Sequence, residues 1–134
     1  MADDYGLALQ QALIARLRAD AALAALVGGR VWDAPPQDPT YPLIALNDLV
    51  VRPLRTDGKA AARVTFSFDA VSQKRARLEA CRIGELIKAA LDESDLSVVG
   101  FAQVQCQWEV TGVDRDQVSK THIATVAFRA ILDG

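Results

Sequence analysis

A reactive centre in this chain would have to be built from few parts. There is one histidine, His122, two cysteines, Cys81 and Cys106, and carboxylates gathered at Asp92, Glu93 and Asp95 and again at Asp114 and Asp116. A nucleophilic triad needs a hydroxyl or thiol within hydrogen-bond reach of a base that a third group orients. Ser119 and Thr121 flank His122 closely in sequence, but successive strand residues face opposite ways, so this spacing assembles no triad. Both acidic groups fall where aspartate ordinarily caps or bends a chain, at a helix end and at a hairpin tip. Neither has the ligand count or glycine placement of a calcium loop. The Val27-Gly28-Gly29 run lacks the lysine and following helix of a phosphate loop, and no zinc spacing occurs. Each cysteine sits in an apolar pattern, which reads as two buried thiols rather than a disulfide or metal pair. The basic residues Lys74, Arg75, Arg77 and Arg82 interleave with Glu79 and Glu85. That pattern fits a solvated helix face or ion pairs between subunits, and no aromatic residues alternate with it as on a single-strand-binding platform. The residues predict no catalysis, no cofactor and no metal.

The elements that would carry these side chains belong to a domain of ordinary make-up. The 134 residues are 51% hydrophobic and 24% charged, with a net charge of −2, enough for one domain spanning 1–134 with a single core. A chain of that charge generates no global basic field to draw it to nucleic acid. No run reaches the roughly 18 apolar residues of a membrane span. The start, MADDYGLALQ, lacks the basic and apolar regions of a secretion signal, so synthesis in the cytoplasm without an export address is expected.

Apolar spacing predicts a helix over 4–18, with Leu9, Leu13 and Leu17 on one side and Asp3 or Asp4 capping its start. A second short helix follows, with Asp20 as N-cap and Gly28 or Gly29 as stop. Residues 30–42 form a connector holding Pro35, Pro36, Pro39 and Pro42, which neither helix nor central strand can traverse. A first strand is expected at 42–52, then a polar turn region, then a strand alternating Val64, Phe66, Phe68 and Ala70 against Arg63, Thr65, Ser67 and Asp69. Residues 73–94 read as the strongest helix, with Ser72 as N-cap. Its stripe is Ala76, Ala80, Ile83, Ile87 and Leu91, broadened by Leu86 and Ala90, with Gly84 marking close packing on a sheet. Two more strands follow: one sets Val104, Cys106, Trp108 and Val110 on a single face, the other aligns Ala124, Val126, Phe128, Ala130 and Leu132. The order α-α-β-β-α-β-β predicts an α+β fold, a four-stranded, mostly antiparallel sheet with helices packed on one face. Its other face carries a row of Gln, Thr, Ser, Arg and Glu.

The opening helix pair followed by LVGGRVWDAPPQDPTYPLIALND resembles the start of the tail terminator (tail-completion) family of long-tailed bacteriophages and gene transfer agents. Gly29, Val31, Asp33, Pro35, Tyr41, Pro42, Ile44 and Leu46 stand in the order of that family's connector. The run TDGKAAARVTFSFDAVSQKRARLEACRIGELIKAAL is similar to its hairpin and central helix, and DRDQVSKTHIATVAFRAIL to its final hairpin. Asn47 and Gln117 depart from positions where the family often has glycine, which alters turn shape.

The resemblance implies a structural virion protein without cofactor or bond chemistry, made in the host cytoplasm and ending in the virion tail. It implies a homohexameric ring on the head-proximal end of the tail tube, which halts addition of the major tail tube protein and offers a surface to the head-side connector or stopper protein. DNA would only pass through the lumen, and no membrane is involved. The same residues would also suit a head-to-tail adaptor or stopper of the connector. From other classes, a small-molecule-binding domain and a regulatory module that dimerises through its sheet remain open. On the ring reading, candidate contacts with subunit or tube are Arg30, Trp32, Asp33 and Tyr41 in the connector, Arg52, Arg55, Asp57 and Lys59 at the first hairpin, and Asp114 and Arg115 at the last. A proline-fixed segment loses little entropy on docking, and Trp and Tyr are common at interface cores. Trp32 and Tyr41 could equally plug the core between helix pair and sheet.

Overall fold

The computed structural model describes residues 5–56, 59–96, 98 and 103–133. The elements run α1 (Tyr5–Ala19), α2 (Ala21–Val27), β1 (Val31–Trp32), β2 (Leu43–Thr56), β3 (Lys59–Ser72), α3 (Leu78–Leu91), β4 (Asp95–Leu96), β5 (Gln103–Asp116) and β6 (Thr121–Asp133). The fold is α+β, with one mixed sheet of six strands among the described residues, ordered β1-β2-β3-β6-β5-β4. The four long strands are antiparallel neighbours. The expectation of four strands in the order α-α-β-β-α-β-β is corrected by two edge strands of two residues each, β1 and β4, and by the parallel pairing of β1 with β2.

The first two helices form where caps and spacing place them. Leu9, Leu13 and Leu17 are fully buried. Asp20 is extended (φ −74, ψ 120) and its carboxylate accepts the Leu23 N–H, the N-cap of α2. Gly28 closes α2 in the left-handed region at φ 58, its N–H donating to Ala24 O. The expected Asp3 or Asp4 cap of α1 lies outside the described residues. Replacing Asp20 with alanine leaves the Leu23 N–H without its acceptor. The expected loss is about 1 kcal/mol, read as a lower denaturant midpoint with unchanged slope.

The first hairpin is longer than periodicity suggests. Residues 52–63, expected as a polar turn region, continue the ladder from Arg52↔Arg63 to Thr56↔Lys59. Helix α3 begins five residues later than expected, at Leu78. Lys74, Arg75 and Arg77 would crowd positive charge onto a helix start that already carries a partial positive charge; this stretch stays a loop, and Ala76 is exposed. Ser72 is therefore the end of β3 and not the N-cap. Its hydroxyl donates to Glu79 Oε1 at 2.7 Å and accepts the Lys74 N–H, tying the loop to the first turn of α3.

The core lies between the helix layer and one face of the sheet. Ala80, Ile83, Ile87 and Leu91 of α3 meet Ala124, Val126 and Phe128 of β6 and Phe66 and Phe68 of β3. Phe66 stacks on Phe128 with centroids 5.4 Å apart and meets Phe68 edge-on at 6.0 Å. Gly84 lets α3 sit down on β6: a Cβ there would lie 3.3 Å from Ala124 Cβ and 3.4 Å from Val126 Cγ2.

Two bulges re-aim the outer long strands. In β5 the register slips at Glu109, so Trp108 stays opposite Phe128 on the helix side while Val110 falls opposite Ala127 on the bare face. The expectation that Val110 shares a face with Cys106 and Trp108 is thereby corrected, since an inserted residue reverses the alternation beyond it. Asn47 plays the same part in β2, between Leu46↔Phe68 and Asp48↔Ser67.

Candidate assembly surfaces

The chemistry-bearing residues are held apart. His122 is buried, and its Nδ1 lies 3.1 Å from Lys74 O, so the ring pins the head of β6 to the loop before α3. Ser119 and Thr121 share a hydrogen bond with each other at 2.7 Å. Asp116 accepts the Val118 N–H, which, with the Ser119 hydroxyl, holds its carboxyl below the usual carboxylate range. Burial pushes the Cys106 thiol up to about 12, leaving it protonated and unreactive at neutral pH. Among the described residues no group of three or more His, Cys, Asp or Glu could hold a metal, and no helix is long and apolar enough to cross a membrane. Brief alkylation of the native chain should label Cys81, which is half-buried, and spare Cys106, with both labelled after unfolding. Mass spectrometry of the labelled chain checks this, and rapid native modification of Cys106 would contradict the burial.

The connector is fastened at both ends. Arg30 donates from Nε to Pro42 O at 2.9 Å, closing the segment into a loop, and Ile44 N–H donates to Arg30 O. Val31 is fully buried, while Trp32, next along, is only half-buried. The Arg18 guanidinium lies 5.7 Å from the Trp32 ring centre and donates to Val31 O. Asp33 is exposed, and Tyr41 is half-buried beside Pro42, Lys74 and Glu79. The connector thus does two things. Its Val31 fills the core, and its Trp32 leaves apolar surface at the β1–β2 edge of the sheet.

The remaining candidates lie apart from the connector and from one another. Arg52 is exposed in the upper half of β2, directly opposite Arg63. Arg55 and Lys59 are ladder positions near the tip, and Asp57 lies outside the described residues. Asp114 and Arg115 are exposed in the lower half of β5, at the other margin of the sheet. Within one chain Arg52 and Asp114 never meet.

The sheet face turned away from the helices is bare among the described residues. It carries the expected polar row: Arg129 donates from Nε and Nη2 to Gln107 Oε1, and the Thr125 hydroxyl donates to Asp69 at 2.7 Å. Burial raises the Asp69 carboxyl above its usual range, a shift that its bonds to Thr125 and Asn47 partly offset. The sequence reading missed the apolar part of this face. Val110 is 58% and Ile131 48% exposed, and between the two bulges runs a shallow trough of about 390 Å³ that includes Asp48, Thr65, Ser67, Glu109 and Thr125. Ile131 follows from the alternation of β6, but placing Val110 and the trough required the bulges at Asn47 and Glu109.

Among the described residues, a long sheet is covered by helices on one side and carries an exposed apolar fringe on the other. The profile described as "Tail completion protein gp17" matches residues 11–133. The chain belongs to that family of tail completion proteins. Among solved structures it is similar to a chain in "Virion of native gene transfer agent (GTA) particle". The two share 26% identity at a TM-score of 0.89, over 99% of this chain and 100% of that one. No curated protein matches the sequence.

Proposed function

We propose that copies of this chain close into a homohexameric ring on the head-proximal end of the tail tube. There the ring ends tube polymerisation and offers its outer surface to the head-side connector protein. The observation that carries this reading is the sheet face left bare among the described residues, with its two margins, on a chain similar over 99% of its length to a virion component. Subunits in a closed ring need two different, complementary surfaces each; the Trp32 margin and the Asp114 margin of the sheet supply them. DNA passes through the lumen, and a net charge of −2 gives it no strong basic field to stick to.

Deleting the gene in particle-producing cells should yield tubes of uncontrolled length and heads without tails, visible by electron microscopy. Tubes of normal length that fail to join heads would instead assign the chain to the connector as an adaptor. Normal particles would refute both.

A further inference from the structure

Among the described residues, each of the two outer long strands has an outer edge that is covered at one end and open over the rest. On β2, β1 occupies the outer edge at Ile44 and Ala45; from Leu46 to Thr56 no strand among the described residues lies against it. On β5, β4 covers Val104 and Gln105. The end of α3 takes over next, with Glu93 N–H donating to Cys106 O and the Asp92 carboxylate accepting the Trp108 N–H, each at 2.8 Å. From Val110 to Asp116 the outer edge of β5 is again open among the described residues. The open lengths sit at opposite ends of the sheet, since Asp114 shares a row with Ile123, Val71 and Leu43, whereas Arg52 shares one with Arg63, Ile131 and Gln105.

An unpaired edge is a template for another strand. Because the four long strands alternate in direction, β2 and β5 run antiparallel. The open part of β5 in one copy can therefore continue the ladder on the open part of β2 in the next. Such a contact joins unlike surfaces, and it is staggered because β1 blocks β2 at Ile44 and Ala45 while β4 and the end of α3 block β5 up to Trp108. Stagger is what closing a sheet on itself demands, and a heterologous contact is what a ring demands. Side chains select the register. Alignments that set Asp48 against Asp114 or Asp116 oppose like charges, while sliding β5 until Asp114 faces Arg52 sets Val50 against Asp116 and Leu54 against Gly112. That pairing also brings a carboxylate to Arg52, which its own sheet sets opposite Arg63, an unfavourable like-charge pair. Pro53 has no N–H to give, so the added ladder lacks a bond there and charge carries more of the register.

We propose that the ring closes by strand addition between copies, β5 of one subunit pairing antiparallel with the open edge of β2 in the next, with Asp114 facing Arg52. The proposal rests on the ring reading above and names the contact that makes the ring.

The test uses the full-length chain, alone and mixed with purified tail tubes. Both residues are exposed, so Arg52→Asp and Asp114→Arg should fold as the parent does by circular dichroism and thermal melting. Each should weaken assembly at least about tenfold, because like charges brought together at a contact cost several kcal/mol. The double exchange should restore assembly. A chain carrying Arg52→Cys with Asp114→Cys should oxidise to a ladder of multimers on a non-reducing gel, and neither single cysteine variant should. Rings that form without the ladder and tolerate both charge reversals would overturn the strand pairing while leaving the ring itself standing. Absence of any closed oligomer, with or without tubes, would overturn both.

Discussion

Truncation of Phe128 to alanine is expected to cost about 3–5 kcal/mol of folding stability. Phe128 is fully buried, stacks on Phe66, and stands in the central strand pair opposite Trp108. Its loss removes transfer energy and leaves a cavity between α3 and the sheet that the strand backbones, fixed by neighbours on both sides, cannot collapse into. Set against a typical total of about 5–15 kcal/mol for a domain, that is roughly a fifth or more of what holds the fold. Denaturant unfolding followed by tryptophan fluorescence measures it directly, since Trp108 reports from the adjoining strand. A loss below about 1 kcal/mol would mean that the aromatic cluster is not the packing centre.

The second large effect is expected at Trp32, and in assembly rather than folding. The fully buried Val31 beside it anchors the connector, so Trp32→Ala should cost the fold only part of its half-buried contact and the Arg18 interaction, about 1–2 kcal/mol. An aromatic anchor at a protein contact is commonly worth 2 kcal/mol or more, and a closed ring repeats that loss at every interface. The expected result is a folded chain that no longer forms a stable ring, read by analytical ultracentrifugation and negative-stain microscopy. An intact ring from Trp32→Ala chains would leave Trp32 as a plug between the helix pair and the sheet.

Much of this fold is legible in the sequence where one local signal suffices. Asp20 and Gly28 announce the ends of α2 because capping is settled within four residues. Phe66, Phe68, Phe128 and Leu132 declare the buried face by alternation alone. What the sequence hides depends on partners far along the chain. Val31 and Trp32 form a strand only because β2 lies beside them, and two residues have no period. The bulges at Asn47 and Glu109 insert one residue each, shifting which side chains are bare without altering composition. Lys74 to Arg77 look helical by pattern, but their charge is wrong for a helix start.

The assembly surfaces divide in the same way. Trp32 stands out in the sequence as an aromatic just ahead of a proline-rich run, and the structure leaves it half-buried. The open edges of β2 and β5 could not be seen in the sequence. They are defined by where β1, β4 and the end of α3 stop, and the proposed pairing of Arg52 with Asp114 needs two copies set edge to edge.

The central claim is that this chain ends a growing tube. Purified tube subunits polymerising in solution should stop lengthening when the protein is added, at a dose set by the number of tube ends and not by the number of subunits. The arrested tubes should show a ring at one end by electron microscopy. Tubes that continue to lengthen at saturating protein, with no added density at either end, would contradict it.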